Sequence, residues 1–264
     1  MHNILSIGAG VQSTTVYLMS CLGELPRLDL AIFADTGWEP QAVYDHLEWL
    51  EREVSPRYGI PIVRVSCGMN LRKSVVESQA ALTYRRAKQA GDADAMAEKS
   101  RFASMPLYTL SPDGQRGMIR RQCPREYKIE PIERHIKTTV LGLEKNARWH
   151  TEHCVRHWYG ISVDEFRRCR APQRLCISNV YPLCEMEFLH GGATQPFGDK
   201  LMSRPGCVEW CRQRGFPEPP RSACIGCPFR SDSEWRRLQE RPEEWQDAVE
   251  VDRGSRQMDD MRGQ

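Results

Sequence analysis

The first 66 residues alternate two hydrophobic periods, and that alternation restricts the chain to one class of fold. Asn3 to Ile7 is a short apolar run, Ser13 to Leu22 carries apolar residues at helical spacing, and Leu28 to Ala34 is continuously apolar. Glu39 to Tyr58 places Val43, Leu47, Leu50 and Val54 on one helical face, and Pro61 to Ser66 reads as a third strand. A strand that is apolar throughout is buried on both faces, as parallel strands covered by helices are. The order strand–helix–strand–helix–strand therefore predicts an α/β protein with a parallel sheet and helices on both of its faces.

The rest of the chain extends this pattern. A helix is expected over 131–141, a strand over 157–162, a helix beginning near Asp164 and Glu165, and a strand over 175–181. These complete a parallel five-stranded, Rossmann-like sheet. Between them, 69–99 reads as a polar helix with a loose stretch at 91–94, and 107–120 as a hairpin or loop. From Gly191 onward Pro, Gly and Cys accumulate, which predicts a Cys-rich C-terminal segment of loops and short helices. Trp235, Leu238, Trp245 and Val249 suggest one or two closing helices over 231–251. The expected organisation is an α/β domain over 1–190 and a Cys-rich segment over 191–264 packing on it.

Composition narrows the setting. The chain has 264 residues, 40% of them hydrophobic, and a net charge of +2. It has no apolar run of about 18 residues, so no membrane-spanning helix is expected. The N-terminus enters a strand-like run directly, without the basic start and apolar stretch of a signal peptide. A cytoplasmic protein is the expectation. Its 11 cysteines then read as reduced thiols or metal ligands rather than a disulfide framework. Between Arg116 and Arg174 basic residues outnumber acidic ones two to one, a stripe that suits nucleotide or nucleic-acid phosphates, or a plain solvated face.

Two motifs carry candidate chemistry. Ser6-Ile-Gly8-Ala9-Gly10-Val-Gln12-Ser13 joins a strand to a helix, where backbone N–H groups and the helix N-terminus can meet phosphate oxygens. Gly8 and Gly10 give a permissive backbone, and Ser6 and Ser13 can donate hydroxyls. The run lacks the lysine of a Walker loop and the third glycine of the dinucleotide fingerprint. The second motif is Cys224-Ile-Gly-Cys227-Pro, with Cys207 and Cys211 upstream and Cys123 about a hundred residues earlier. A CxxC pair holds two sulfurs close enough for one metal or one iron–sulfur cluster, and Cys123 is a candidate further ligand. Arg125 and Lys128 stand near Cys123 as candidate anion ligands. Asp164 and Glu165 either hold Mg²⁺ on a nucleotide or cap the next helix. His135, His150, His153 and His157 form no metal-ligand spacing.

The glycine loop resembles the pyrophosphate-binding loop of the adenine nucleotide α-hydrolase-like (HUP, PP-loop) superfamily, whose usual form is Ser-Gly-Gly-x-Asp-Ser. Gly8 falls on the first Ser, Gly10 on the second glycine slot and Ser13 on the final Ser, while Gln12 replaces the Asp. Asp35-Thr36-Gly37 resembles the Asp-Thr-Gly of the phosphoadenylyl-sulfate (PAPS) reductase branch. Cys123-Pro-Arg125-Glu-Tyr-Lys128-Ile-Glu-Pro131-Ile is similar to that branch's Cys-Cys-x-x-Arg-Lys-Val-x-Pro-Leu segment, with Gln122 at one cysteine. Ala223-Cys224-Ile-Gly-Cys227-Pro is similar to its second cysteine pair. Gly160-Ile-Ser162-x-Asp164-Glu165-x-x-Arg168 resembles a segment of reductase-like proteins often carried by phages and mobile elements.

The resemblance implies an enzyme that uses ATP or a related adenine nucleotide, with Mg²⁺. It would adenylate a substrate, release pyrophosphate and support sulfur transfer to an acceptor such as tRNA or DNA. Ser6, Gly8, Ala9, Gly10, Gln12, Ser13, Asp35, Thr36, Gly37, Arg125, Lys128 and Asp164 would serve the nucleotide. Cys123, Cys224 and Cys227 would hold a 4Fe–4S cluster, with structural zinc as the alternative. The fourth ligand would be Cys207, with Cys211 or an open iron as the alternatives. A sulfonucleotide reductase is the rival enzyme, but no cysteine follows Cys227 to act as its nucleophile. A non-catalytic nucleic-acid-binding or redox-sensing module is the rival of another class. No membrane partner is expected, and a homodimer is left open.

Overall fold

The computed structural model describes residues 1–76, 105–106, 108–110, 113–118 and 122–259. In chain order the elements begin with β1 (His2–Ser6), α1 (Val11–Cys21), β2 (Leu30–Ala34), α2 (Gln41–Trp49), α3 (Ser55–Tyr58) and β3 (Ile62–Val65). Next come β4 (Tyr108–Leu110), β5 (Arg116–Met118), α4 (Glu130–His135), β6 (Val155–Tyr159), β7 (Ile177–Tyr181), β8 (Met186–Phe188) and β9 (Thr194–Pro196). The last helices are α5 (Arg204–Gln213), α6 (Asp232–Gln239) and α7 (Pro242–Asp259). Of the polar helix expected over 69–99, residues 71–76 are helical, and the loose stretch at 91–94 lies outside the described residues. Among the described residues no helix is long and apolar enough to cross a membrane.

The chain forms two compact units. One comprises Met1–Ala34, Gln41–Val65 and Pro131–Ser222, the other Asp35–Pro40, Ser66–Glu130 and Ala223–Gln264. The boundary expected near residue 190 is not among these divisions. The start of the Cys-rich segment belongs to the first unit because α5 carries Cys207, Trp210 and Cys211 at helical spacing, all buried in that unit's core.

The first unit is α/β, built on a sheet of seven strands in the order β3-β2-β1-β6-β7-β8-β9. The expected parallel five-stranded sheet is its larger part: β3, β2, β1, β6 and β7 pair in parallel. The sheet is mixed rather than purely parallel, because β8 and β9 add antiparallel to β7. This extension follows a short turn at Pro182–Cys184 and a tight turn at Gly191-Gly192, where both glycines take positive φ. Two strands joined by so short a turn can only run antiparallel.

Alternate residues of each central strand face opposite layers. Ile4, Ile32, Val155 and Ile177 meet Ile132 and Ile136 of the chain that includes α4. Leu5, Phe33, Trp158 and Val180 point the other way, into a core with α1, α2 and α5. Helices therefore cover both faces, as the apolar strands required. Val43, Leu47, Leu50 and Val54 are all buried in this core. The chain passes from α2 to α3 through a π-helical turn at Leu50–Val54, just before Pro56. Proline has no N–H for the carbonyl four residues back, and a widened turn absorbs the missing bond. The turn Arg125–Ile129 precedes Pro131 in the same way.

The second unit holds the β4–β5 hairpin, α6, α7 and the turns around Asp35 and Cys224. Its core joins Trp38, Leu71, Tyr127, Ile225, Leu238 and Val251. Ser231 caps α6 with a reciprocal capping box to Glu234, and Trp235 meets Trp245 of α7 edge to face at 6.3 Å.

Candidate functional site

In the first unit the glycine loop leaves the carboxyl end of β1, the middle one of the five parallel strands. There the order of the sheet reverses: chain connections run outward from β1 to β2 and β3 on one side, and β6 and β7 lie on the other. Open α/β sheets bind ligands at such a switch point. Ala9 is fully buried with φ of 51°, a left-handed conformation that turns the chain sharply toward α1. Gly10 is the N-cap residue, extended and without a capping side chain. The amides of Val11, Gln12 and Ser13 belong to the first turn, so the helix itself offers them no acceptor, and the N-terminal end of the helix dipole favours an anion.

Ser13 closes the loop. Its hydroxyl accepts from Gly8 N at 3.1 Å and donates to Gly10 O at 3.3 Å. The Gly8 amide is thus used within the loop, while the first-turn amides have no acceptor within the helix. Two other segments press on the loop. A Cβ on Gly10 would lie 2.8 Å from Ser222 Cβ and 3.1 Å from Ser222 N. A Cβ on Gly160 would lie 2.4 Å from Ser13 N and 2.5 Å from Ser13 Cα. Glycine at 10 and 160 is required by this backbone approach, a role the sequence reading did not assign to Gly160.

The segment after β6 engages the loop through side chains. Gln12 Nε2 donates to Glu165 Oε2 at 2.9 Å and to Ser162 Oγ at 3.3 Å, and Arg168 holds the same Glu165 oxygen at 2.7 Å. Gln12 thus meets a carboxylate supplied by another segment. Asp164 Oδ1 accepts from Arg204 N at 3.0 Å and so caps the start of α5. Burial opposes its ionisation, but hydrogen bonds from Ser162 and Arg204 outweigh this and hold its carboxyl below the ordinary value. Cys207 and Cys211 lie apart from this surface. Both are fully buried on α5, Thr15 Oγ1 is 3.5 Å from Cys211 Sγ, and burial pushes the Cys207 thiol up to about 12.

The second unit gathers the remaining candidates. Asp35-Thr36-Gly37 is a tight turn: Gly37 N donates to Asp35 Oδ1 at 2.7 Å, and Gly37 has φ of 70°. Asn70 Nδ2 donates to Gly37 O at 2.7 Å, and Leu71 N to Thr36 O at 2.8 Å. The CxxC segment docks on the next residue. Ile225 N donates to Trp38 O at 3.0 Å, and a Cβ on Gly226 would lie 2.3 Å from the Trp38 ring. Cys227 N donates to Cys224 O at 3.0 Å, and Arg230 fastens the carbonyls of Ala223, Cys224 and Ile225.

Around Cys224 the structure assembles a group that no local motif announces. Cys224 Sγ lies 3.4 Å from Glu39 Oε1 and 3.6 Å from Thr36 Oγ1. Lys128 Nζ donates to Glu39 Oε1 at 3.0 Å, and Thr36 Oγ1 donates to it at 3.2 Å. The Glu39 side chain is 1% exposed and that of Lys128 37%. Burial, then the Glu39 charge, push the Cys224 thiol up to about 12, while Lys128 pulls the other way. Burial disfavours the Lys128 ammonium, but Glu39 and then the Cys224 and Cys123 sulfurs outweigh it and hold the lysine above its ordinary value. Cys123 packs in the same apolar cluster as Cys224. Arg125, 80% exposed, pairs instead with Glu130 at 3.1 Å.

Cys123, Cys224 and Cys227 are thus three soft donors in one unit, with a buried carboxylate beside Cys224, a set whose chemistry suits zinc or iron. Among the described residues no three His, Cys, Asp or Glu side chains already stand at metal-holding separation. Binding there would require the thiols to close in and lose their protons. Sequence reasoning missed Glu39, which reads as an ordinary helix start 185 positions from Cys224. No protein-family model and no curated protein matches the chain.

Proposed function

We propose that this chain is an adenine-nucleotide-binding enzyme that activates a substrate by adenylation and releases pyrophosphate. The observation that carries the reading is the start of α1, whose N-cap residue Gly10 has no side chain to cap it, at the switch point beyond β1. The first-turn amides of Val11, Gln12 and Ser13 would bind the phosphates and stabilise the charge that builds on the leaving pyrophosphate. Ser13 holds these amides in place by bridging Gly8 and Gly10. Gly160, packed on Ser13, shields the same turn from the side of β6.

The resemblance to the PAPS reductase-like branch supports adenine as the base and sulfur transfer as the reaction class, with tRNA or DNA among the acceptors. Cys123, Cys224 and Cys227 would hold a 4Fe–4S cluster, or zinc, in the second unit. A cluster there would supply a site for electron or sulfur exchange. The residues around it position the thiols: Trp38 seats the CxxC turn, and Arg230 ties down its carbonyls.

A titration of ATP, AMP and pyrophosphate into the full chain by calorimetry tests this reading. ATP and pyrophosphate are expected to bind, and Ser13→Ala to weaken both by about tenfold through loss of the loop bridge. Absence of binding by all three ligands would remove the nucleotide reading and leave the non-catalytic module in its place. That second reading draws on Gln12, whose carboxamide is already engaged by Glu165 and Ser162.

A further inference from the structure

Glu39 presents a buried oxygen that no described residue of the second unit uses. Its Oε1 accepts from Lys128, Thr36 and Cys224 at 3.0, 3.2 and 3.4 Å. Its Oε2 is buried and has no hydrogen-bond partner among the described residues, and the whole side chain is only 1% exposed. A buried carboxylate oxygen is unfavourable until a donor or a cation meets it. The cation now beside Glu39 is the Lys128 ammonium, which bonds the opposite oxygen and keeps more than a third of its side chain exposed. The lysine therefore has a way out to solvent.

We propose that Glu39 is the fourth donor of a thiophilic metal centre formed with Cys123, Cys224 and Cys227, and that Lys128 is a resident counter-cation which the metal displaces. The inference rests on reading these three cysteines as metal ligands. A carboxylate oxygen joins thiolates readily around zinc. Each ligating thiol releases one proton to solvent, the metal keeps its charge, and no electron is transferred. Cys207, the ligand suggested by sequence, is committed to the core of the first unit beside Thr15 and Cys211.

The test is an anaerobic titration of Zn²⁺ and Co²⁺ into the full chain. Zinc-edge X-ray absorption of the loaded wild type is expected to give three sulfurs and one oxygen, the oxygen at about 2.0 Å. Glu39→Gln is expected to weaken Co²⁺ binding by at least about 10–100-fold while keeping the thiolate charge-transfer intensity. Lys128→Gln is expected to tighten it by about tenfold, since a like charge beside the metal is removed. Cys207→Ser should change neither affinity nor spectrum. Four sulfurs in the wild type, an unchanged affinity in Glu39→Gln, or weaker binding in Lys128→Gln would overturn the assignment of Glu39 and Lys128 while leaving a metal centre standing. Failure of the wild type to bind either metal would remove the metal reading itself. The absorption result needs no variant, so it decides the ligand set even where a substitution unfolds the protein.

Discussion

Replacing Gly160 with alanine probes the glycine loop at its tightest point. The added Cβ would sit 2.4 Å from Ser13 N, 2.5 Å from Ser13 Cα and 2.8 Å from Gln12 C. All three are backbone atoms of the first turn of α1, so no side-chain rotation relieves the clash. Gly160 does not have positive φ, so space alone sets the cost. Overpacking of this kind costs about 3 kcal/mol at the upper end of its usual range. The lower chain entropy of alanine in the unfolded state offsets about 0.4–1 kcal/mol. A net loss of about 2 kcal/mol is expected, a fall in Tm of about 4–8 °C for a chain of this size. Gly8→Ala is the internal control, because its Cβ would meet the Ser222 hydroxyl at 3.0 Å and that side chain can turn away. Gly8→Ala should therefore stay within about 0.5–1 kcal/mol of wild type. Urea unfolding followed by circular dichroism measures both variants. A Gly160→Ala protein as stable as Gly8→Ala would refute the packing argument. Under the proposed function the same variant should also lose nucleotide binding, because relief of the clash moves the Ser13 amide.

Other perturbations bear on separate parts of the account. His46 and His157 are buried, and burial lowers each pKa to about 4 from 6.5. Both favour the neutral ring in the folded state, so their contribution is complete above about pH 6.5 and is lost as pH falls toward 4, by about 3 kcal/mol for each ring; a flat stability profile over that interval would contradict it. Lys128→Met leaves the buried Glu39 carboxylate unpaired and should destabilise the protein by about 3 kcal/mol, and Glu39→Leu in the same chain should recover most of the loss. A double-mutant cycle in urea with no coupling would argue against the pair. Cys207 and Cys211, fully buried, should resist a thiol reagent such as dithionitrobenzoate until the protein unfolds; labelling of either in the native protein would place them outside the core.

The parallel part of the sheet was legible where its strands carry apolar residues on both faces, above all in β2, Leu30–Ala34. Ile4, Leu5, Ala31 and Ile32 have no exposed surface, and no polar alternation obscured them. The expected strand at 157–162 shifts to β6 at Val155–Tyr159, because Ile161 is buried beyond the strand, in the turn that brings Gly160 to Ser13. Burial alone did not separate strand from turn there. β8 and β9 have three residues each and were not anticipated, although Gly191-Gly192 marked their turn. Cys207 and Cys211 looked like metal ligands through their nearness in sequence to the CxxC pair. Their spacing with Trp210 was the stronger signal, that of a helix face turned into a core. Glu39 and Lys128 were out of reach of any local pattern, since their pairing spans 89 positions and is made only by folding.

Hydrogen–deuterium exchange of the full chain, with and without ATP and Mg²⁺, tests the central claim most directly, because it reads the first-turn amides of α1 themselves. The account calls for slower exchange in peptides covering residues 8–16, together with 160–165, when the nucleotide is bound. Unchanged exchange there, with ATP bound and protection confined to other segments, would contradict it.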